Sequence, residues 1–410
     1  MSTNAMSSTP ALASADESTY KPRYIDIGIN LADPIFRGQY HGTQRHPDDL
    51  SAVVSRAQEV GCQKLIVTGS DFTSSRHALD IAKEYPGTVY TTAGIHPCSS
   101  AIFSTTHSHV DTNGHTMPCD PDPSKPISED DEPDAERTKL IIAELRSLVE
   151  EARKSAAPGR PSPLVAFGEI GLDYDRLHYC SKKIQLHAFA AQLDLALSLE
   201  PPLPLFLHSR AAHGDFVGLL KTKFGAGLER LARGAVVHSF TGTADEMREL
   251  MDLGLYVGTN GCSFKTADNC AVVAEIRLDR LMLETDGPWC EVRPSHEGWK
   301  YLIEPPKPDA PAAVDATDTN GNGAGSVDAR GPKKLRQPSK KPQKKEPEVP
   351  ERFKVVKKEK WVEGAMVKGR NEPCMIERVG KIVAGIKGVT VEEVCEAAWR
   401  NTTKVFPVDE

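Results

Sequence analysis

The sequence predicts an α/β chain folded into a closed parallel barrel of eight β/α units, and three observations carry that prediction. Short apolar runs alternate with segments of helical spacing from Tyr24 to about Asp286. Unbroken aliphatic runs between turn signals read as strands buried on both faces, the kind a parallel sheet needs. Four of these runs lead straight into residues that can bind a metal ion: Leu164-Val165-Ala166-Phe167 into Gly168-Glu169, Leu205-Phe206-Leu207 into His208, Ala235-Val236-Val237 into His238, and Leu281-Met282-Leu283 into Glu284-Thr285-Asp286. A closed barrel brings the C-terminal ends of its strands to one mouth, which accounts for such residues arriving from several strands. An open doubly wound sheet is the alternative that the same alternation allows.

The first strand is expected at 24–31, where apolar residues alternate with Asp26, Gly28 and Asn30. The spacing of Leu50, Val53, Val54 and Ala57 marks a helix over 47–61, followed by strand 64–69, helix 73–85 and strand 89–95. Helix 135–156, strand 164–170, helix 182–200 and strand 205–208 come next. Helices 212–224, 244–253 and about 269–276 then alternate with strands 235–240, 255–259 and 281–286. Two last helices, 372–386 and 391–405, are expected to pack back onto the barrel.

The domain reading is a disordered segment over 1–20, the main part of the barrel over 21–304, an insertion over 305–351 and a C-terminal part of the barrel over 352–410. Within the barrel, about 105–134 is a polar insertion dense in Pro and acid, including Glu129, Asp130, Asp131, Glu132 and Asp134. The insertion over 305–351 is rich in Pro, Ala, Gly, Asp and Asn, then turns basic from Lys333 to Lys345. Such composition buries too little apolar surface to offset ordering entropy, so disorder is expected.

With 410 residues, 39% hydrophobic and 26% charged, the chain can bury a sizeable core. No stretch reaches the roughly 18 consecutive apolar residues of a membrane span. The first residues lack both the apolar core of a secretion signal and the arginines of a transit peptide. Nine scattered cysteines without Cys-x-x-Cys pairs fit free thiols in a reducing compartment, so cytoplasm or nucleus is expected. A formal charge of −7 excludes coating nucleic acid by bulk charge, leaving polyanion contact to local patches. No obligate protein partner is evident.

Imidazole and carboxylate together suit Zn, Mn, Fe or Mg in a hydrolytic site, where one or two ions activate water and stabilise charge on a phosphoryl or carbonyl oxygen. Glu169, His208, His238 and Asp286 are therefore expected to share an ion.

These residues lie inside longer strings: Asp26-Ile27-Gly28-Ile29-Asn30-Leu31, Gly94-Ile95-His96-Pro97, Gly168-Glu169-Ile170-Gly171-Leu172-Asp173, Leu207-His208-Ser209-Arg210, His238-Ser239-Phe240-Thr241-Gly242 and Glu284-Thr285-Asp286-Gly287-Pro288-Trp289. In this order and spacing, from about Tyr24 to Phe406, the chain resembles the TatD family of metal-dependent deoxyribonucleases, its eukaryotic branch in particular. The resemblance implies a TIM barrel of the amidohydrolase type and hydrolysis of DNA phosphodiesters with a divalent ion, usually Mg²⁺. It also carries the family's metal ligands onto Glu169, His208, His238 and Asp286. Many relatives have His-x-His at the end of the first strand, whereas this chain has Gly28-Ile29-Asn30. Alternation puts Asp26, Gly28 and Asn30 on one face, toward the barrel interior. Gly28 offers no ligand and Asn30 only a neutral amide, so one firm ion is expected, with a second bound loosely or brought by the substrate phosphate.

Asp286 is the candidate to take a proton from the attacking water, with Glu169 the second catalytic carboxylate. His96 is read as hydrogen-bonding a substrate phosphate, as leaning on a metal ligand, or as a turn residue. Arg176 and Arg210 follow Glu169 and His208 and are placed to grip phosphates, an ordinary ion pair being the other reading. Asp173 is expected to orient groups at the site, and Trp289 and Trp299 either stack on an unpaired base or pack their loops. The basic run is read as a nuclear-localisation or DNA-tethering segment, or as a solvated loop. DNA is the expected substrate, with RNA as a further candidate. Hydrolysis of an ester or amide, such as deacylation of a D-aminoacyl-tRNA, and non-catalytic nucleic-acid binding are the alternatives.

Overall fold

The computed structural model describes residues 20–106, 131–156, 159, 161–303 and 349–408. Most of the segment expected over 1–20, the acidic insertion between 107 and 130 and the insertion between 304 and 348, with its basic run, lie outside the described residues.

Eight parallel strands form one sheet in chain order. They are β1 (Tyr24–Ile29), β2 (Cys62–Val67), β3 (Val89–Ala93), β4 (Leu164–Asp173), β5 (Leu205–Arg210), β6 (Ala235–Val237), β7 (Tyr256–Thr259) and β8 (Leu281–Leu283). Helices α1 (Leu50–Glu59), α2 (Phe72–Glu84), α3 (Ala135–Lys154), α4 (Lys182–Ser198), α5 (His213–Phe224), α6 (Ala244–Asp252) and α7 (Ala267–Glu275) alternate with them, and α8 (Ile376–Lys387) and α9 (Val391–Val405) close the chain. Reciprocal caps start several of these helices, Asp71 with Ser74 at α2, Thr243 with Glu246 at α6 and Thr390 with Glu393 at α9. The ring is drawn shut between β8 and β1 just past the end of β8. There Asp286 N donates to Gly28 O and Asn30 N to Gly287 O, both at 2.8 Å. This is the TIM-barrel architecture expected from the alternation.

Two apolar layers hold it. An inner cluster of Ile25, Ile27, Ile66, Tyr90, Phe206, Val236, Tyr256 and Met282 fills the barrel and is continued by Trp399, Val405 and Phe406. The outer cluster takes the other strand faces, Leu65, Val67, Leu164, Leu205, Leu207, Leu281 and Leu283, against the helices. The expected packing of α9 is anchored by Asn401, whose amide donates to Leu278 O and Leu281 O at 2.8 Å each.

Seven of the eight strand ends fall two or three residues from expectation, and three of them shape the mouth. β6 stops at Val237 and β8 at Leu283, short of 240 and 286. Ser239 and Asp286 have φ of 48° and 53°, a left-handed backbone that cannot extend a strand. β4 instead runs on to Asp173, past 170, paired with β5 as far as Asp173 and Arg210.

The segment leading into α8 carries a buried charge cluster. Arg370 donates to both oxygens of Asp49 at 2.9 and 2.6 Å and to Glu372 at 2.9 Å. Arg56, on α1, donates to the second Glu372 oxygen at 2.9 Å.

Candidate metal centre

Two irregularities of the sheet shape the mouth. In β4 the pairing with β5 steps from Phe167–Leu205 to Ile170–Leu207, so two residues, Gly168 and Glu169, face one on the partner strand. A Cβ on Gly168 would stand 2.1 Å from Phe206 O, and one on Gly171 1.9 Å from His208 O. Only glycine lets the two backbones approach this closely, and that approach delivers Glu169 beside His208.

The second irregularity corrects an expectation. β1 pairs Asp26 with Leu65 and Ile29 with Val67, three steps against two. Leu65 and Val67 belong to the outer layer, so Asp26 lies on the outer face, while Ile27 joins the inner cluster. A Cβ on Gly28 would meet Glu284 Oε2 at 2.6 Å and Phe206 Cζ at 3.3 Å, which places Gly28 inward. The bulge thus breaks the alternation that put Asp26 and Gly28 on one face. From outside, the Asp26 carboxylate accepts the Thr285 N–H at 2.9 Å and the Thr285 hydroxyl. It holds the backbone next to Asp286 and does not face the mouth.

Three imidazoles surround one carboxylate oxygen. Glu169 Oε1 lies 2.9 Å from His208 Nδ1, 2.5 Å from His238 Nε2 and 3.4 Å from His96 Nε2. The two facing nitrogens of His208 and His238 are 3.4 Å apart. Glu169, His208 and His238 are almost fully buried. Ligand atoms of His96, Glu169 and His208 all fall within 4.8 Å of one another. His96 nevertheless uses its Nδ1 lone pair to accept the Cys98 N–H at 3.1 Å, which leaves the ring proton on Nε2, facing Glu169. In that tautomer its inward nitrogen is a donor and not a ligand.

Behind each of the other two rings stands a carboxylate. His208 Nε2 is 3.1 Å from Asp173 Oδ2, and His238 Nδ1 is 3.4 Å from Glu284 Oε2. A carboxylate on the far nitrogen fixes the tautomer and presents the near nitrogen's lone pair, the usual outer support of a metal-ligating histidine. Sequence reasoning marked Asp173 but passed over Glu284, which is wholly buried. Its two-residue spacing from Asp286 was the available signal. Ser239 N and Asn260 Nδ2 donate to Glu284 Oε1, the latter at 3.2 Å.

Asp286 sits at the same mouth, its carboxylate accepting from Asn30 Nδ2 at 3.1 Å, Ser239 Oγ at 3.4 Å and Cys290 Sγ at 3.2 Å. The Asn30 amide also reaches Gly287 O at 3.1 Å, so its donors hold the loop after β8. Asn371, not anticipated from sequence, donates to Thr285 O at 2.9 Å and Trp289 O at 2.8 Å from the other side. Arg176 is 3.3 Å from Asp173 Oδ2 with its side chain 44% exposed, and Arg210 ends β5 half-buried alongside. Trp289 is 60% exposed just past Asp286, whereas Trp299 lies beneath the Arg378 guanidinium, 5.7 Å from its ring. Trp299 is therefore a packing residue.

The electrostatics fit a cation. Burial by itself would raise the Glu169 carboxyl, yet His238 and His96 facing it and hydrogen bonds from His208 and His238 hold it well below the usual range. Burial works to lower His238, but Glu169 and Glu284 on its two sides raise it well above the ordinary imidazole value. Burial takes His96 down to about 3, leaving it neutral at pH 7. Burial pushes Glu284 up, with His238 opposing. Asp173 Oδ1 is buried without a hydrogen-bond partner, and Glu284 Oε2 and His238 Nδ1 have only their 3.4 Å approach to each other. Buried charged donors that do not satisfy one another are costly, and a divalent ion among them offsets that cost. The residues present fit such an ion.

Comparison with known proteins places the chain among hydrolases of one kind. Residues 25–407 match the family described as TatD related DNase. The chain is 38% identical to Deoxyribonuclease Tat-D of Schizosaccharomyces pombe over 384 residues, covering 94% of this chain and 96% of that protein. It is 32% identical to Deoxyribonuclease Tat-D of Saccharomyces cerevisiae, covering 94% and 91%. The crystal structure of an uncharacterized amidohydrolase from Saccharomyces cerevisiae superposes with a TM-score of 0.70 at 31% identity, covering 94% of this chain and all of that one.

Proposed function

The chain belongs to the family of TatD-related DNases, and from that membership and the geometry of the barrel mouth we propose a metal-dependent deoxyribonuclease that hydrolyses DNA phosphodiester bonds. The observation that carries this reading is the convergence of His208 and His238 on Glu169 Oε1, at 2.9 and 2.5 Å, with a carboxylate behind each ring. Ester or amide hydrolysis and non-catalytic binding are not favoured, since both Tat-D relatives named above are deoxyribonucleases.

In this proposal Glu169, His208, His238 and Asp286 hold the ion, Mg²⁺ by preference and Mn²⁺ or Zn²⁺ as substitutes. When bound, it would supply positive charge to a phosphate oxygen and acidify water toward roughly neutral pH. Asp173 and Glu284 keep the ring protons of His208 and His238 on the far nitrogens, so the near nitrogens stay available. Asp286, steadied by Asn30 and Ser239, accepts the proton of the attacking water. His96 donates its Nε2–H to a non-bridging phosphate oxygen. Arg176 and Arg210 hold flanking phosphates, and exposed Trp289 offers a face for an unstacked base.

The proposal includes one firm ion site, supported by Gly28, which has no side chain, and by Asn30, whose amide is engaged by Asp286 and Gly287. Counting bound metal by anomalous scattering tests this, and two full, protein-ligated ions in the free enzyme would refute it. Location in cytoplasm or nucleus, with the Lys333–Lys345 run as a tether for DNA or for import, also belongs to this reading. No helix among the described residues is long and apolar enough to cross a membrane. Deleting 305–348 should leave cleavage of short oligonucleotides intact and alter location or affinity for long DNA.

The activity test uses end-labelled single- and double-stranded DNA, RNA and a D-aminoacyl-tRNA, each with Mg²⁺, Mn²⁺ or chelator. DNA cleavage that needs the ion is expected, its ladder separating internal cuts from trimming at a 3′ end. Deacylation without cleavage, or inertness on every substrate, would overturn the proposal.

A further inference from the structure

We infer that Cys262 and Cys290 form an oxidisable dithiol at the barrel mouth, a modification site that a hydroperoxide closes into a disulfide. The two sulfurs lie 2.9 Å apart. Cys262 follows β7 and Cys290 follows β8, neighbouring strands paired in register through Thr259 and Leu283. A Cβ on Gly261 would stand 1.9 Å from Cys290 O, so the glycine before Cys262 lets the two loops pack backbone to backbone. That close approach is built into the fold and sets the thiols side by side. Reaching a bonded separation of about 2.05 Å requires the sulfurs to close by about 0.9 Å.

Access and chemistry agree with the geometry. Cys62, Cys180, Cys270, Cys374 and Cys395 are buried, whereas Cys262 and Cys290 are half-buried at the mouth. The Cys290 thiol beside it, and then Lys265, draw the Cys262 thiol down to about 6 against the effect of burial. Burial instead pushes Cys98, the other half-buried thiol among the described residues, up to about 12. A thiolate is the form that reacts with peroxide.

The Cys262 thiolate attacks the hydroperoxide, the O–O bond breaks, an alcohol leaves after protonation, and Cys262 becomes a sulfenic acid. Cys290 sulfur then attacks that sulfur, the S–S bond forms and the hydroxyl leaves with the Cys290 proton as water. In sum, two thiols and one hydroperoxide give one disulfide, one alcohol and one water, the sulfurs losing two electrons and the peroxide gaining them. The product withdraws the S–H that Cys290 places 3.2 Å from Asp286 Oδ2 and ties the two mouth loops together. Insofar as the nuclease reading holds, cleavage should fall about tenfold or more, the scale expected when an outer hydrogen bond to such a site is lost.

The test treats the reduced full-length chain with hydrogen peroxide in small molar excess, then maps non-reduced peptides by mass. A Cys262–Cys290 cross-link lighter by two hydrogens, reversed by dithiothreitol and absent from Cys262→Ser and from Cys290→Ser, is expected. Activity is read in parallel, with the Cys262→Ser chain losing none on peroxide treatment. Both cysteines still free while other thiols oxidise, or Cys262 carried to sulfinic acid without a cross-link, would overturn the inference. The peptide map decides it even if the reduced chain cleaves no DNA, so its failure and that of the nuclease reading remain separable.

Discussion

Two groups of charged side chains are buried in this barrel, and they are neutralised in different ways. Beneath the C-terminal segment, Arg370 and Arg56 face Asp49 and Glu372, two cations for two anions, with bonds of 2.6 to 2.9 Å. At the mouth, the four carboxylates of Glu169, Asp173, Glu284 and Asp286 face imidazoles, amides and hydroxyls, with His238, raised by Glu169 and Glu284, between two of them and Arg176, 44% exposed, beside Asp173. The first group balances its own charge, which suits a clamp joining α1 to the segment before α8. The second holds more acidic than basic groups and is completed by a cation brought from outside. Charge balance thus separates a structural cluster from a functional one where burial alone treats them alike.

Substitutions should drive the two apart. The largest effect is expected for Asp286→Asn, which keeps shape but removes the base: cleavage of end-labelled single-stranded DNA should fall by about 10²- to 10⁴-fold. Unfolding in urea with chelator should stay close to that of the parent chain, and full turnover with metal bound would exclude the base role. Arg370→Met leaves two buried carboxylates with one partner and should cost about 3–5 kcal/mol in urea unfolding, equally with Mg²⁺ or chelator. A loss seen only with Mg²⁺ would erase the distinction between the clusters. Mg²⁺ at 100 times its Kd should add about 2.7 kcal/mol to the parent's stability and nothing once Glu169 and Asp286 are both made amides. Glu284→Gln should weaken metal binding by about 10- to 100-fold in calorimetry with folding preserved, since it acts through the His238 ring. The smallest change belongs to the rim: Trp289→Ala should cost about 1 kcal/mol in binding single-stranded DNA, with duplex binding less affected.

Most of the barrel was legible in the sequence because its strands are unbroken aliphatic runs and its helices carry caps such as Thr243 with Glu246. The residues that gather at Glu169 were legible because each follows such a run. What alternation could not reveal were the bulges in β1 and β4, where an extra residue turns Asp26 outward and Glu169 inward. The left-handed turns at Ser239 and Asp286 were equally silent, since neither residue type announces that conformation. Pairings distant along the chain were hidden for another reason: Arg370 meets Asp49 across 321 residues and Asn371 meets Thr285 across 86. No local period encodes such contacts. Cys262 and Cys290 likewise read as isolated thiols until the loops after β7 and β8 set them together.

The seam between the last strand and the first has a consequence for how the protein comes into being. Asp286 is anchored by Gly28 and Asn30, made long before it, and the turn around it by Asn371, made well after it. A nascent chain still short of that asparagine can assemble most of its staves yet lacks the final brace on the cation-facing turn. Competence for the ion therefore waits until Asn371 has been made, and products truncated before it should be born without it.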